Sequence, residues 1–153
     1  EVAVKSRGQM LVLWGDPEQT DAQMIDGFLR NGDIGDLLAD QSLHLVGRSK
    51  HEINVGGIKV LAEEIDMLLE RHPEVIEACG FGIPDQIAGE IVAAVVKVRS
   101  TTLASSELLQ WCRQNARADA VPKRIEIVDS IPKNDRGKIA RMDVKERMIA
   151  EWL

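Results

Sequence analysis

The chain has 153 residues, 44% of them hydrophobic and 29% charged, with a net charge of -6, which is enough for one full domain or for a domain plus part of another. The negative balance excludes a general nucleic-acid binder, because neutralising phosphates requires clustered Lys and Arg. Two Phe, three Trp and no Tyr argue equally against a platform on which single-stranded bases stack.

In chain order, EVAVKSRGQMLVLWG reads as a strand, a turn at Arg7-Gly8 and a second strand. Asp16 and Pro17 suit the opening of a short helix. NGDIGDL and LLADQSLHLVGR read as turn, strand, turn, strand. The chain starts in mid-strand with no initiator methionine, and residues 1–47 hold no long amphipathic element, so they are expected to be the tail of a larger unit. EINVGGIKV has strand chemistry on both sides of Gly56-Gly57, which predicts a hairpin or a tight glycine loop.

LAEEIDMLLERHP predicts a helix with Leu61, Ile65, Leu68 and Leu69 on one face. Glu63 and Glu64 suit its N-terminal end, Arg71 and His72 its C-terminal end, and Pro73 stops it. VIEACGFG and EIVAAVVKV predict strands joined by a loop, IPDQIAGE, and the second is apolar on both faces and therefore central. ASSELLQWCRQNA predicts a helix capped by Ser105 or Ser106, with Leu108, Leu109, Cys112 and Ala116 facing inward. RIEIV predicts a short strand, and a last helix runs from about Ile139 to the end, with Val144, Met148 and Trp152 at helical spacing. The expected fold class is α+β, a small mixed or antiparallel sheet covered by helices and preceded by a mostly β fragment.

Cys79 and Cys112 form no C-x-x-C pair and no secretory segment opens the chain, so reduced buried thiols in a cytoplasmic protein are expected. The longest apolar runs, such as residues 91–96, are too short to span a membrane. His44, His51 and His72 lie at no metal-ligand spacing, so no metal site is expected in this chain. Charge is uneven: residues 16–40 hold seven acids against Arg30, whereas residues 131–149 hold six bases against three acids. Either run could be no more than a solvated face.

Three stretches exceed what folding requires: GRSK at 47–50, NVGGIK at 54–59 and IPKNDRGKIAR at 131–141. A glycine pair alone can be a tight turn. A lone Gly-Lys is not a P-loop, since Lys138 is followed by Ile139 and G-x-x-x-x-G-K-[ST] is absent. In this order, with GDPEQT…DGFLRNGDIGDL…LHLVGR before them and HPEVIEACGFGIPDQIAGEIVAAVVKV between them, they resemble the adenylate-forming acyl-CoA synthetase superfamily. The resemblance covers essentially the whole chain, with the end of that family's large N-terminal domain followed by its C-terminal domain. INVGGIKV…EEID is more similar to the acyl- and aryl-CoA ligases than to the peptide-synthetase branch.

The resemblance implies a two-step reaction. A carboxylate attacks the α-phosphate of ATP to give an acyl-adenylate and pyrophosphate, and the thiol of CoA then displaces AMP. It implies that Lys138 is the catalytic lysine, a mobile point charge on a long stem, with Gly137 before it allowing close backbone approach. Asp33 matches the acid that binds the ribose hydroxyls, and Arg48 an arginine near the same ribose. Lys50 matches the hinge about which the C-terminal domain turns. Gly56 and Gly57 match the loop lining the pantetheine channel, and Lys59 a basic position near phosphates. The implied domains are 1–48, the β-rich end of the N-terminal domain, and 49–153, the mobile lid. Fatty acid metabolism is the implied setting.

ATP, CoA and Mg2+ are the implied cofactors, held mainly by the N-terminal domain; its Ser/Thr/Gly-rich loop and acyl pocket do not occur here. The expected partners are therefore that domain and a carboxylic acid, and this chain alone is expected to be inactive. Three departures stand out: Asn31 where the family writes Thr before Gly-Asp, no Tyr in ARADAVPKR, and Arg136 where Ser or Thr is usual. Two alternatives stay open, a non-catalytic docking module homologous to the lid and part of a peptide-synthetase adenylation domain.

Overall fold

In the computed structural model, which describes residues 1–100 and 102–152, the chain divides into two units, Glu1–Lys50 and His51–Leu153. The first unit is built from short elements. Strands β1 (Ala3–Val4), β2 (Met24–Ile25) and β3 (Phe28–Arg30) form an antiparallel sheet in the order β1-β3-β2. Helix α1 (Pro17–Gln23) starts where the sequence predicts: Pro17 needs no N–H there, and Asp16 Oδ1 accepts the Gln19 N–H at 2.9 Å. Strands β4 (Asp33–Leu37) and β5 (Leu43–Arg48) pair antiparallel, with a register shift at Ile34/Gly35.

The strand expected after Arg7-Gly8 does not form. The Leu13 N–H donates to the buried Thr20 Oγ1 at 2.8 Å rather than to a neighbouring strand. Leu11 and Trp14 stand 83% and 100% exposed, so no sheet face covers their apolar side chains.

The second unit is a five-stranded sheet between helices. β6 (Glu52–Val55) and β7 (Ile58–Leu61) form a hairpin whose two turn residues, Gly56 and Gly57, have φ of +60° and +90°. Positive φ at both positions is the turn whose twist matches the flanking strands, and glycine reaches it without strain. α2 (Ala62–Glu70) buries Ile65, Leu68 and Leu69 and carries Glu63 and Glu64 in its first turn.

β8 (Val75–Asp85) and β9 (Gly89–Val98) then form a long antiparallel hairpin. The loop expected over IPDQIAGE shrinks to three residues, because pairing continues to Asp85↔Gly89. Asp85 Oδ1 accepts the N–H groups of Ile87 and Ala88 and folds the turn locally. Pro84 is tolerated because β8 pairs with β9 alone.

α3 (Ser105–Asn115) carries the chain to β10 (Arg124–Ile127), which pairs parallel to β9. The cap residue is Ala104 rather than Ser105 or Ser106, and Glu107 Oε1 accepts the Ala104 N–H at 3.3 Å. α4 spans Arg141–Trp152. It begins two residues later than expected because Ile139 bridges Lys133, and Leu153, its expected end, lies outside the described residues.

β9 organises the unit. Val92, Ala94 and Val96 enter a core with Ile65, Leu69, Leu108 and Cys112 from α2 and α3. Ala93 and Val95 enter a second core with Val144 and Met148 from α4. β9 is therefore buried on both faces, as its unbroken apolar run predicts. Cys79 and Cys112 are free and buried, and burial pushes their thiols up to about 12 and about 11. Among the described residues no helix is long and apolar enough to cross a membrane.

The sheet and α2 meet at Gly80, where a Cβ would stand 2.7 Å from Ile65 Cβ and 3.1 Å from the Ala62 carbonyl oxygen. Gly80→Ala should therefore force α2 away from β8 and cost about 1–3 kcal/mol, the usual penalty for overpacking. Urea denaturation measures this, and an unchanged midpoint would show that the contact has slack.

Candidate functional site

In the first unit, the β4/β5 register sets Asp33 opposite Arg48. Arg48 Nε lies 2.9 Å from Asp33 Oδ1, and its Nη2 donates to the Asn31 carbonyl at 2.8 Å. Asp33 Oδ2 has no partner among the described residues, so one carboxylate oxygen is oriented and the other is free to accept. Asn31, the departure noted in the sequence, closes the preceding turn: its Oδ1 accepts the Asp33 N–H at 3.1 Å, and Gly32 takes φ +76°. Asn31 thus folds an Asx turn immediately before Asp33. Lys50, exposed on a 3-10 turn at Ser49–His51, is the last residue of this unit.

The second unit carries two loops. On the hairpin, Gly57 donates its N–H to Asn54 Oδ1 at 2.9 Å, and Gly56 donates to the Ala88 carbonyl at 2.7 Å. Nothing lies within 4 Å of a Cβ built at either glycine, so the turn is open on its outer side. Lys59 is also exposed, but its ammonium is already paired, with Glu52 Oε2 at 3.0 Å.

The second loop runs from Lys133 to Ile139, which bridge each other. Asn134 holds it: its Oδ1 accepts the N–H groups of Arg136 and Lys138 at 3.0 and 3.1 Å, and its own N–H donates to the Lys138 carbonyl at 2.8 Å. Gly137 sits at φ +74° with open space around it. The left-handed backbone by itself favours glycine at this position.

The four cations of this motif divide two and two. Lys133 pairs with Glu77 at 2.7 Å. Arg141 is largely buried: Nη2 contacts Asp66 Oδ2 at 2.6 Å, while Nη1 reaches Asp66 Oδ1 at 3.2 Å and the Gly80 carbonyl. Arg136 and Lys138 are exposed, and neither side chain has a hydrogen-bond or ion-pair partner among the described residues. Two cations anchor the loop and two are left for something outside it.

The anchor is a charged cluster at the start of α4. Burial raises the Asp66 carboxyl above its ordinary value, against the opposing pull of Arg141 and the Gly80 N–H. Burial disfavours the Arg141 cation too, but its hydrogen bonds and attraction to Asp66 outweigh this and hold it above its ordinary value. Glu63 Oε1 accepts from His51 Nδ1 and lies 4.0 Å from Arg141 Nη2. The Glu63 Oε2 and Arg141 Nε atoms are buried without partners among the described residues.

Sequence reading singled out neither Asn54 nor Asn134. The available signal was an asparagine three residues ahead of a glycine in each loop, an arrangement that lets the side chain fold the backbone back. Asp66 offered no such signal, because it reads as an ordinary polar position on a helix until Arg141 is seen to reach it.

The family of AMP-binding enzyme C-terminal domains matches residues 64–138. The oxalate–CoA ligase of Arabidopsis thaliana is 40% identical over 134 residues, which is 87% of this chain and 26% of that protein. A long-chain-fatty-acid–CoA ligase of Yersinia pestis is 34% identical over 149 residues, 97% of this chain and 26% of the relative. The solved amide bond synthetase McbA of Marinactinospora thermotolerans superposes with a TM-score of 0.89 at 34% identity, covering 97% of this chain and 30% of that one. The chain thus spans about a quarter of the length of the curated relatives it matches.

The buried pair has a measurable signature. Arg141→Met leaves Asp66 without its countercharge and should cost about 3–5 kcal/mol in chemical denaturation, whereas Arg141→Met with Asp66→Leu should recover much of the loss. A double variant no more stable than the single one would show that Arg141 acts by packing alone.

Proposed function

We propose, from the premise that the chain belongs to the adenylate-forming AMP-binding enzymes and carries their C-terminal domain, that it is the C-terminal part of an ATP-dependent carboxylate–CoA ligase. The observation that carries this reading is the division of the basic motif. Lys133 and Arg141 are tied down, while Lys138 is presented, exposed and unpaired among the described residues, on a turn that Asn134 holds. A cation kept free on an organised loop suits a phosphate supplied by another domain.

In the first half-reaction the substrate carboxylate oxygen forms a bond to the α-phosphorus of ATP, and the bond to pyrophosphate breaks. Lys138 would bring its ammonium to the oxygens on which negative charge gathers, where a preorganised cation is most effective. Asp33 suits the ribose: its free Oδ2 can accept from a hydroxyl while Arg48 orients the carboxylate. In the second half-reaction the sulfur of CoA bonds to the acyl carbon, and the bond to AMP breaks. The open Gly56-Gly57 turn, with no side chain to obstruct a thin pantetheine arm, suits this step. Lys59, paired with Glu52, would have to exchange that partner for a phosphate.

Residues 1–48 would then close the large N-terminal domain and 49–153 form the lid, with Lys50 as the hinge, so that one small domain presents two loops in turn. Mg2+ would be held mainly by the N-terminal domain. The acid pocket would lie in the same domain, consistent with relatives named for acids as different as oxalate and long-chain fatty acids. A place in fatty acid metabolism follows if the acid is of the second kind. The two free thiols suit the reducing cytoplasm.

In the intact protein, assayed with palmitate and with oxalate, Lys138→Ala should lower pyrophosphate exchange by about 10²–10³-fold or more. The same variant should still form thioester from supplied acyl-adenylate. Exchange at the unaltered rate would remove Lys138 from the first step. Gly57→Leu should instead slow the reaction of acyl-adenylate with CoA while exchange continues, and equal loss of both steps would argue against a channel at the turn.

A further inference from the structure

Glu90, the second residue of β9, takes part in neither loop, yet its carboxylate touches the supports of both. Oε2 accepts the Asn54 backbone N–H at 2.9 Å, and Oε1 accepts from Lys145 Nζ at 3.1 Å. Asn54 is the residue whose side chain holds the Gly57 N–H. Lys145 lies one turn into α4, behind the loop of Lys138, and the helix start is fixed by Arg141.

The carboxylate occupies a place made for it. A Cβ at Gly82 would stand 2.6 Å from Glu90 Oε1, 2.8 Å from its Cδ and 2.8 Å from Ile53 Cγ2, so a side chain there would displace the carboxylate from this place. An exposed ion pair contributes little and needs no such cradle. Glu90 is only 26% exposed and combines a charged donor with a backbone amide, the kind of acceptor position at which hydrogen bonds are strong and directional.

We propose that Glu90 is a positioning residue for the CoA-dependent step, acting through the Asn54 amide to hold the Gly56-Gly57 turn in its open geometry and through Lys145 to keep that turn in register with α4. This rests on the ligase reading above for the role of the turn, but not for the coupling itself. Glu90 touches no reacting group; its effect passes through Asn54 to the Gly57 N–H. One carboxylate therefore ties together the supports of two loops assigned to different half-reactions.

Both parts can be tested in the intact protein with three variants. Glu90→Ala removes both acceptors, Glu90→Gln keeps an oxygen for the Asn54 N–H, and Lys145→Met removes only the cation. Amide hydrogen exchange at Asn54 and Gly57 should accelerate about tenfold or more in Glu90→Ala and return near the unaltered rate in Glu90→Gln. With CoA as the varied substrate, Glu90→Ala should raise KM about tenfold, with pyrophosphate exchange changed by less than about twofold, and Glu90→Gln should reverse most of the rise. Lys145→Met should give a smaller effect in the same direction.

Unchanged amide exchange in Glu90→Ala would overturn the proposal, as would equal loss of both half-reactions without rescue by Glu90→Gln. Accelerated amide exchange with an unchanged KM for CoA would keep the coupling and refute the role in the CoA step. If Gly57→Leu also left that step intact, the fault would lie with the function assigned to the turn.

Discussion

Arg141 is the residue on which the arrangement of the second unit turns. Its guanidinium binds both oxygens of Asp66 on α2 and the Gly80 carbonyl on β8, so one side chain joins a helix, a strand and the start of α4. Forked geometry suits this, because a guanidinium can meet a carboxylate with two parallel bonds. Burial makes such a pair expensive to break and gives it little net value over an apolar substitute. Its contribution is therefore better sought in placement than in stability: it fixes where the chain emerges from the Lys138 loop into α4.

Seen from that anchor, the basic motif has two functions written into one short stretch. Its outer cations, Lys133 and Arg141, are consumed by the fold, against Glu77 and Asp66. Its inner ones, Arg136 and Lys138, stand on the tip with no partner among the described residues. The turn between them is closed by Asn134 and by the left-handed Gly137, so the tip owes nothing to burial. The glycine hairpin repeats the device with Asn54 and Gly57. Both loops can thus stay exposed and shaped at once, a combination that apolar packing cannot supply.

Much of this was legible in the sequence, and the boundary of legibility is physical. Elements whose pattern is set by burial on one side or two appeared as expected: α2 by its apolar face, β9 by its unbroken apolar run, the hairpin by its glycine pair. Expectations failed where a single hydrogen bond outvoted propensity. Leu13 looked like strand, but its N–H went to Thr20; residues 83–90 looked like loop, but Asp85 folded a turn tight enough for the strands to run on. For the candidate site, the matched motifs named the loops and the ordered residues in them. They did not reveal Asp66 or Glu90, because a carboxylate on a helix or strand looks like solvent-facing charge until its partner, 75 or 55 residues away, is brought to it.

The double burial of β9 has a mechanical side. Residues 92–96 alternate between two close-packed cores, and such interiors compress little and transmit displacement well. A sheet gripped in this way behaves as a stiff plate: it can be turned far more easily than it can be bent. A push delivered at the glycine hairpin would then pass into the sheet as a shift of the plate rather than as a bend in it.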